Sequence, residues 1–228
     1  MSSRIEPRRT FRSDLAGYSL GEEIANSVTH GIGVVLAIAA LGVLCASASL
    51  RGTAWHVVGC SVFAATLILL YTASTLYHSV RSPRAKSVLR VIDHCAIFLL
   101  IAGTYTPFTL VNLRGPWGWS LLGVIWGLAV LGILLRATVS QAKKRTFLAL
   151  YLAMGWAVVV AIEPLLESVA PGGIVLLVSG GLAYTAGVAF YRWRSLPYHH
   201  AIWHGFVLTG SVLHFFAVLL YVIPFAVP

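Results

Sequence analysis

Seven long apolar segments, at about 24–49, 54–79, 88–112, 117–137, 146–166, 172–192 and 199–226, constrain this chain more than any other feature. Each reaches the roughly 20 residues that a helix needs to cross a bilayer. The segments are continuous and nearly free of charge rather than alternating, which is the pattern of helices and not of a transmembrane barrel. A soluble domain of 228 residues that is 58% hydrophobic and only 10% charged could not hide so much apolar surface. The mean hydropathy of +0.86 agrees. The expected fold is an all-α integral membrane protein, a seven-transmembrane helix bundle in the cell (inner or plasma) membrane. A short basic arm, residues 1–22, precedes a helical domain over 23–228.

The breaks between segments carry charge or Gly/Pro punctuation, as at Arg51-Gly52, Arg81-Ser82-Pro83-Arg84, Arg114-Gly115-Pro116 and Pro171-Gly172-Gly173. Ala46-Ser47-Ala48 after the first apolar run imitates a signal-peptidase site, but that run is nearly a full span and is read as a retained helix. Cys45, Cys60 and Cys95 lie on separate segments without metal or disulfide spacing and read as small core residues.

The net charge of +9 invites a nucleic-acid reading, but the basic residues are sorted by loop. Fourteen of the sixteen Lys and Arg fall in the N-terminal arm and in the second, fourth and sixth connections, leaving only Arg51 and Arg114 for the other side. Basic residues collect in cytoplasmic loops, so the N-terminus is expected in the cytoplasm and the C-terminus outside. Membrane lipids, not nucleic acid, are the expected partners; the oligomeric state is left open.

Ionisable residues inside a membrane are costly and call for a partner or a function. Here they gather at one depth. Glu22, Glu23, Asn26 and His30 enter the first span from the expected cytoplasmic side, Ser74 and His78 leave the second there, Asp93 and His94 open the third, and His199, His200 and His204 open the seventh. His200 and His204, four apart, stand one turn above the other on one helix face and can reach one metal ion. Together with His78 they make three neutral imidazoles with room for water in a fourth position, the arrangement of catalytic rather than structural zinc. Imidazole also suits copper, nickel and iron; the open position favours Zn2+. Asp93 is suited to orient that water or take its proton, and Ser74 to polarise a substrate carbonyl, so both are candidate catalytic groups. Glu23, Asn26 and His30 fit a supporting network. His56, His94 and His199 read as interfacial or backbone-bonded, and His214 as bonded to a neighbouring helix.

These residues, in this order, resemble the hemolysin III branch of the progestin and adipoQ receptor family. The resemblance is carried by Glu23-Ile24-Ala25-Asn26-Ser27-Val28-Thr29-His30, Ser74-Thr75-Leu76-Tyr77-His78, Asp93 in Arg90-Val91-Ile92-Asp93-His94, and His200 to His204. Ala102-Gly103-Thr104-Tyr105-Thr106-Pro107-Phe108 is similar to the bacterial branch. The first motif admits Glu22 or Glu23 as its acid, with Glu23 fitting the spacing. The resemblance implies a seven-helix bundle with zinc at His78, His200 and His204, kinship with alkaline ceramidases, and a role in membrane lipid and fluidity homeostasis. Three functions follow as expectations: a zinc-dependent hydrolase of lipid amides, a non-catalytic membrane-state sensor or receptor with structural zinc, or a cytolytic pore. A path past Glu163, Glu167 and Thr104 to Pro107 would serve the last.

Overall fold

Each helix begins where a local signal tells it to. Ser19 caps the first: its Oγ accepts from the Glu22 amide at 3.3 Å and its own amide donates to Glu22 Oε2 at 2.7 Å, a capping box that satisfies donors a helix start leaves free. Pro83 and Pro171 open two others at the first helical position, where a missing N–H costs nothing. The computed structural model describes residues 17–138 and 144–224. Residues 1–16 of the basic arm, Lys143, the side chains of Lys144 and Arg145, and the tail of the expected seventh span at 225–226 lie outside the described residues.

The described residues form helices and no strand: α1 (Leu20–Arg51), α2 (Ala54–Ser79), α3 (Pro83–Leu110), α4 (Pro116–Thr138), α5 (Lys144–Trp156), a 3₁₀ stretch (Ala157–Ala161), α6 (Ile162–Ser168), α7 (Pro171–Arg192) and α8 (His199–Tyr221). Seven helical spans are long and apolar enough to cross a membrane, the fifth being α5, the 3₁₀ stretch and α6 together. The spans run in alternate directions. The starts of α1, α3, α5 and α8 therefore share one end of the bundle with the ends of α2, α4 and α7.

Two boundaries differ from the sequence expectation in ways that matter. α1 begins at Leu20 rather than 24, which puts Glu22 and Glu23 in its first turn. α3 begins at Pro83 rather than 88, so Lys86 is a helix residue facing inward and not a loop charge. The fifth span is broken as well. Pro164 removes the amide that would continue the ladder, and Tyr105 of α3 serves the backbone groups around the break. Its hydroxyl shares its one proton between the Met154 and Gly155 carbonyls, 2.8 and 2.9 Å away, and accepts from the Val158 amide at 2.9 Å. Within a bilayer a broken helix is tolerated only when other groups supply such partners.

α2 is the most buried span and lies between α1 and α3, with Phe63, Leu67, Leu70 and Tyr71 in the core. Outward faces carry exposed apolar side chains such as Ile24, Val28, Val35 and Val130, as a lipid-facing surface requires. Lipid is as apolar as leucine, so helix contact in the membrane depends on close fit at small residues. Gly59 of α2 is such a point: a Cβ there would stand 2.8 Å from the Pro107 Cα of α3, and backbone cannot swing aside. On Gly123 of α4 a Cβ would meet open space. Gly59→Val is expected to cost about 1–3 kcal/mol of stability, as overpacking does, and Gly123→Val next to nothing. Thermal unfolding of the two variants in detergent checks the contrast, and equal effects would contradict this packing.

Candidate metal and catalytic centre

The site is assembled by α1, α2, α3 and α8 at their shared end. His78 comes from the last turn of α2, and His200 and His204 from the first two turns of α8. Ligand atoms of the three histidines lie within 4.8 Å of one another. Their rings approach to centroid distances of 5.1 Å (His78–His200), 5.2 Å (His78–His204) and 4.5 Å (His200–His204).

What surrounds each ring decides which nitrogen is free. His78 Nδ1 donates to Glu23 Oε2 at 2.6 Å, leaving Nε2 buried with no hydrogen-bond partner. His204 Nδ1 donates to the Asn26 carbonyl at 3.2 Å, which directs its Nε2 elsewhere. His200 Nδ1 is likewise buried and unpartnered. Buried polar atoms are normally satisfied. Unpartnered imidazole nitrogens gathered in one cluster, two of the rings held by their other nitrogen, make a donor set that could hold a metal ion. The residues fit the group.

Glu23 sits behind His78. Its second oxygen meets Lys86 Nζ at 2.8 Å, and Lys86 also donates to the Tyr77 carbonyl at 3.2 Å and lies 5.0 Å from the Tyr77 ring centroid. Glu22 points the other way: its Oε1 accepts from the Tyr198 amide at 3.2 Å. Tyr198 is left-handed (φ 57°) at the start of α8, so Glu22 holds a strained turn that delivers His200 and His204. Of the two acids, Glu23 is the one in contact with a cluster histidine. Asn26 is fully buried, its amide 3.4 Å from His78 Nδ1. His30 stacks on His204 at 3.5 Å with both ring nitrogens unpartnered, so its contribution here is a stacking face.

Asp93 and Ser74 stand apart from the metal cluster. Both line a cavity of about 370 Å³ that also reaches His30, His200 and His204. Ser74 Oγ lies by the Asp93 carboxylate without making a hydrogen bond of good geometry, and Asp93 Oδ2 is 3.6 Å from His94 Nδ1. Glu23 and Asn26 do not line this cavity; they back the histidines from behind. His94 donates from Nδ1 to the Arg90 carbonyl and His199 to that of Phe190, and His214 bonds Leu177 of α7. Glu163 and Glu167 are exposed and line neither this cavity nor its smaller neighbour.

Sequence reasoning missed Lys86 and Tyr18. The Tyr18 ring lies 6.1, 5.7 and 5.1 Å from those of His78, His199 and His200, covering the cluster from the arm side. Burial, with Tyr77, Tyr191 and Glu23 nearby, pushes its phenol well above the ordinary tyrosine range, so it stays a neutral lid. No motif marks a lone tyrosine ahead of a span. Lys86 had a signal, a lysine four residues before Arg90 on a continuous helix, but the apolar run that defines the span does not reach it.

A model of the Haemolysin-III related family matches residues 18–215, a range that takes in every one of these side chains. The chain belongs to the haemolysin III family. It is 49% identical over 205 residues to Hemolysin-3 of Bacillus cereus, covering 90% of this chain and 94% of that one. It is 46% identical over 206 residues to a Hemolysin-3 homolog of Bacillus subtilis, covering 90% and 96%. At 29% over 208 residues it is similar to the human Monocyte to macrophage differentiation factor, covering 88% and 84%. It is a haemolysin III-related multi-pass membrane protein, and in a bacterium that membrane is the plasma membrane.

The Glu23–His78 contact gives a direct expectation. Glu23→Gln keeps the shape but loses the charge that holds His78 Nδ1–H, and metal retention should fall roughly 10–100-fold, the usual effect of losing such a partner. Competition with a graded series of chelators measures it; unchanged retention would remove Glu23 from the site.

Proposed function

We propose that this protein is a zinc-dependent hydrolase of lipid amides, with its site toward the cytoplasm and a role in membrane lipid homeostasis. One observation carries the reading. His200 and His204 of the histidine cluster, Asp93 and Ser74 line a single cavity whose remaining wall is largely apolar and aromatic, and His78 completes the cluster through its contact with those two histidines, so an acyl chain and a catalytic constellation would share one space.

His78, His200 and His204 would hold the ion, which when bound supplies Lewis acidity and lowers the pKa of a water toward about 7. Glu23 fixes the tautomer and pose of His78, and the Asn26 carbonyl does the same for His204. Asp93 accepts a proton from the attacking water on a carboxylate oxygen and passes it to the departing amine nitrogen. Ser74 Oγ, with no hydrogen-bond partner of its own, donates to the substrate carbonyl oxygen as charge develops there. Tyr18 and the turn at Tyr198 shield the cluster from bulk water.

The sensor reading has its own support: the same contacts tie α1 to α2 through Glu23–His78 and α1 to α8 through Asn26–His204, as a structural zinc clamp would. Asp93 separates the two. It lies outside the histidine cluster, so Asp93→Asn should keep the metal and the melting temperature while turnover of ceramides or other lipid amides falls by a factor of about 100 or more, the scale of general-base catalysis. Full turnover in a metal-loaded Asp93→Asn protein would refute the mechanism. Absence of turnover in the wild type across such a panel would favour the sensor.

A further inference from the structure

Tyr18 stands directly before the cap of α1, and its ring rests on histidines from two other helices. Its centroid lies 6.1 Å from that of His78 at the end of α2, and 5.7 and 5.1 Å from those of His199 and His200 at the start of α8. Rings at these separations are in van der Waals contact, which leaves no passage for a hydrated ion between them. Tyr18 also lines the cavity that reaches His200 and His204. Its hydroxyl makes no hydrogen bond to the described residues, so ring packing alone holds the side chain there.

The backbone on its two sides is unlike. Ser19 is fixed by the capping box with Glu22, whose other oxygen accepts from the Tyr198 amide. Gly17 is exposed and left-handed at φ 75°, and a Cβ there would have nothing within 4 Å. A glycine in open space changes backbone region at little steric cost, which suits it to absorb the movement of a lid. Among the described residues, the other neighbours of the cluster are held more firmly. His78 is backed by Glu23 and His204 by the Asn26 carbonyl. Tyr77 and Tyr191, whose rings lie 4.5 Å from His78 and 5.9 Å from His200, stand within α2 and α7.

We infer that Tyr18 is a gate for metal exchange: its ring closes the path between the histidine cluster and the water at this end of the bundle, and its displacement about Gly17 opens that path. The inference rests on the metal-centre reading and is independent of hydrolysis. A gate differs from a ligand in what it controls. A ring packed on the outer side of the histidines, with the ion present or absent, raises the barrier to entry and to exit equally. It therefore slows exchange and leaves the affinity where the ligands and their supporting contacts set it. Loss of the Glu23 contact has the opposite signature, because that contact holds a ligand in its pose.

The test uses the intact protein without a His-tag in nanodiscs, with Co2+ as the probe. Uptake by the chelator-stripped protein and loss to excess chelator are timed by the visible absorption of the bound ion, beside the affinity at equilibrium and the melting temperature. Tyr18→Ala should speed uptake and loss alike, by about tenfold or more, the scale of losing packed ring contacts, with affinity and melting temperature unchanged. Tyr18→Phe keeps the ring and should exchange at the wild-type rate. Unchanged rates in Tyr18→Ala would overturn the gate and route the ion through the cavity instead. A weaker affinity with uptake unchanged, or a Tyr18→Phe protein that behaves like Tyr18→Ala, would overturn it in favour of a phenol that binds the ion. A folded wild type that takes up no metal would remove the metal centre and the gate together.

Discussion

The site depends on the buried carboxylate of Glu23. A charge at this depth is tolerable only if paired and hydrogen-bonded, and Glu23 has both: His78 on one oxygen, Lys86 on the other. The two contacts join α1 to α2 and α3 at the end of the bundle where α8 also begins. They also set chemistry. The carboxylate holds the proton on His78 Nδ1 and so leaves Nε2 buried without a partner, free to serve the cluster with His200 and His204. Without Lys86 the acid would be an unbalanced buried charge, and without the acid the His78 ring would have no reason to keep its pose.

From that anchor the rest of the molecule is a way of keeping four helix ends together around a cavity. Tyr198 takes a left-handed turn so that α8 can start with its histidines inward, and Glu22 holds that turn from α1. At the far side of the cavity α5 gives way to a 3₁₀ stretch, and Tyr105 takes up the backbone groups around the break. Thr104, Tyr105, Gly155 and Trp156 at this level line both cavities, so the break shapes the two cavities where they adjoin.

Much of this was legible in the sequence because the bilayer enforces simple rules. Seven apolar runs became seven spans, with the second span's limits at Ala54 and Ser79 as expected, since length and hydropathy are nearly sufficient for a helix in lipid. His78, His200 and His204 converge because the alternating topology brings those helix ends to one side, and spacing alone placed the last two on one face. What could not be read was side-chain direction near the boundaries. Polar flanks extend helices beyond their apolar runs, so α1 and α3 started early, and Lys86 passed from loop cation to buried partner. Tyr18 is aromatic without periodicity, and its place over the cluster depends on a tertiary approach. The break in the fifth span was foreshadowed by Pro164, but its repair by Tyr105, far away in the chain, was not.

Whether His78, His200 and His204 hold a metal ion is read from the metal content of the purified protein. The protein would be purified without a His-tag or chelator and its metals counted by mass spectrometry, in the wild type, in His78→Ala and in His200→Ala/His204→Ala. The wild type should carry about one zinc per chain, lost from both variants while they remain folded. A folded wild type without metal, or variants that keep it in full, would rule out a metal centre and leave the histidines as a buried hydrogen-bonded and stacked cluster.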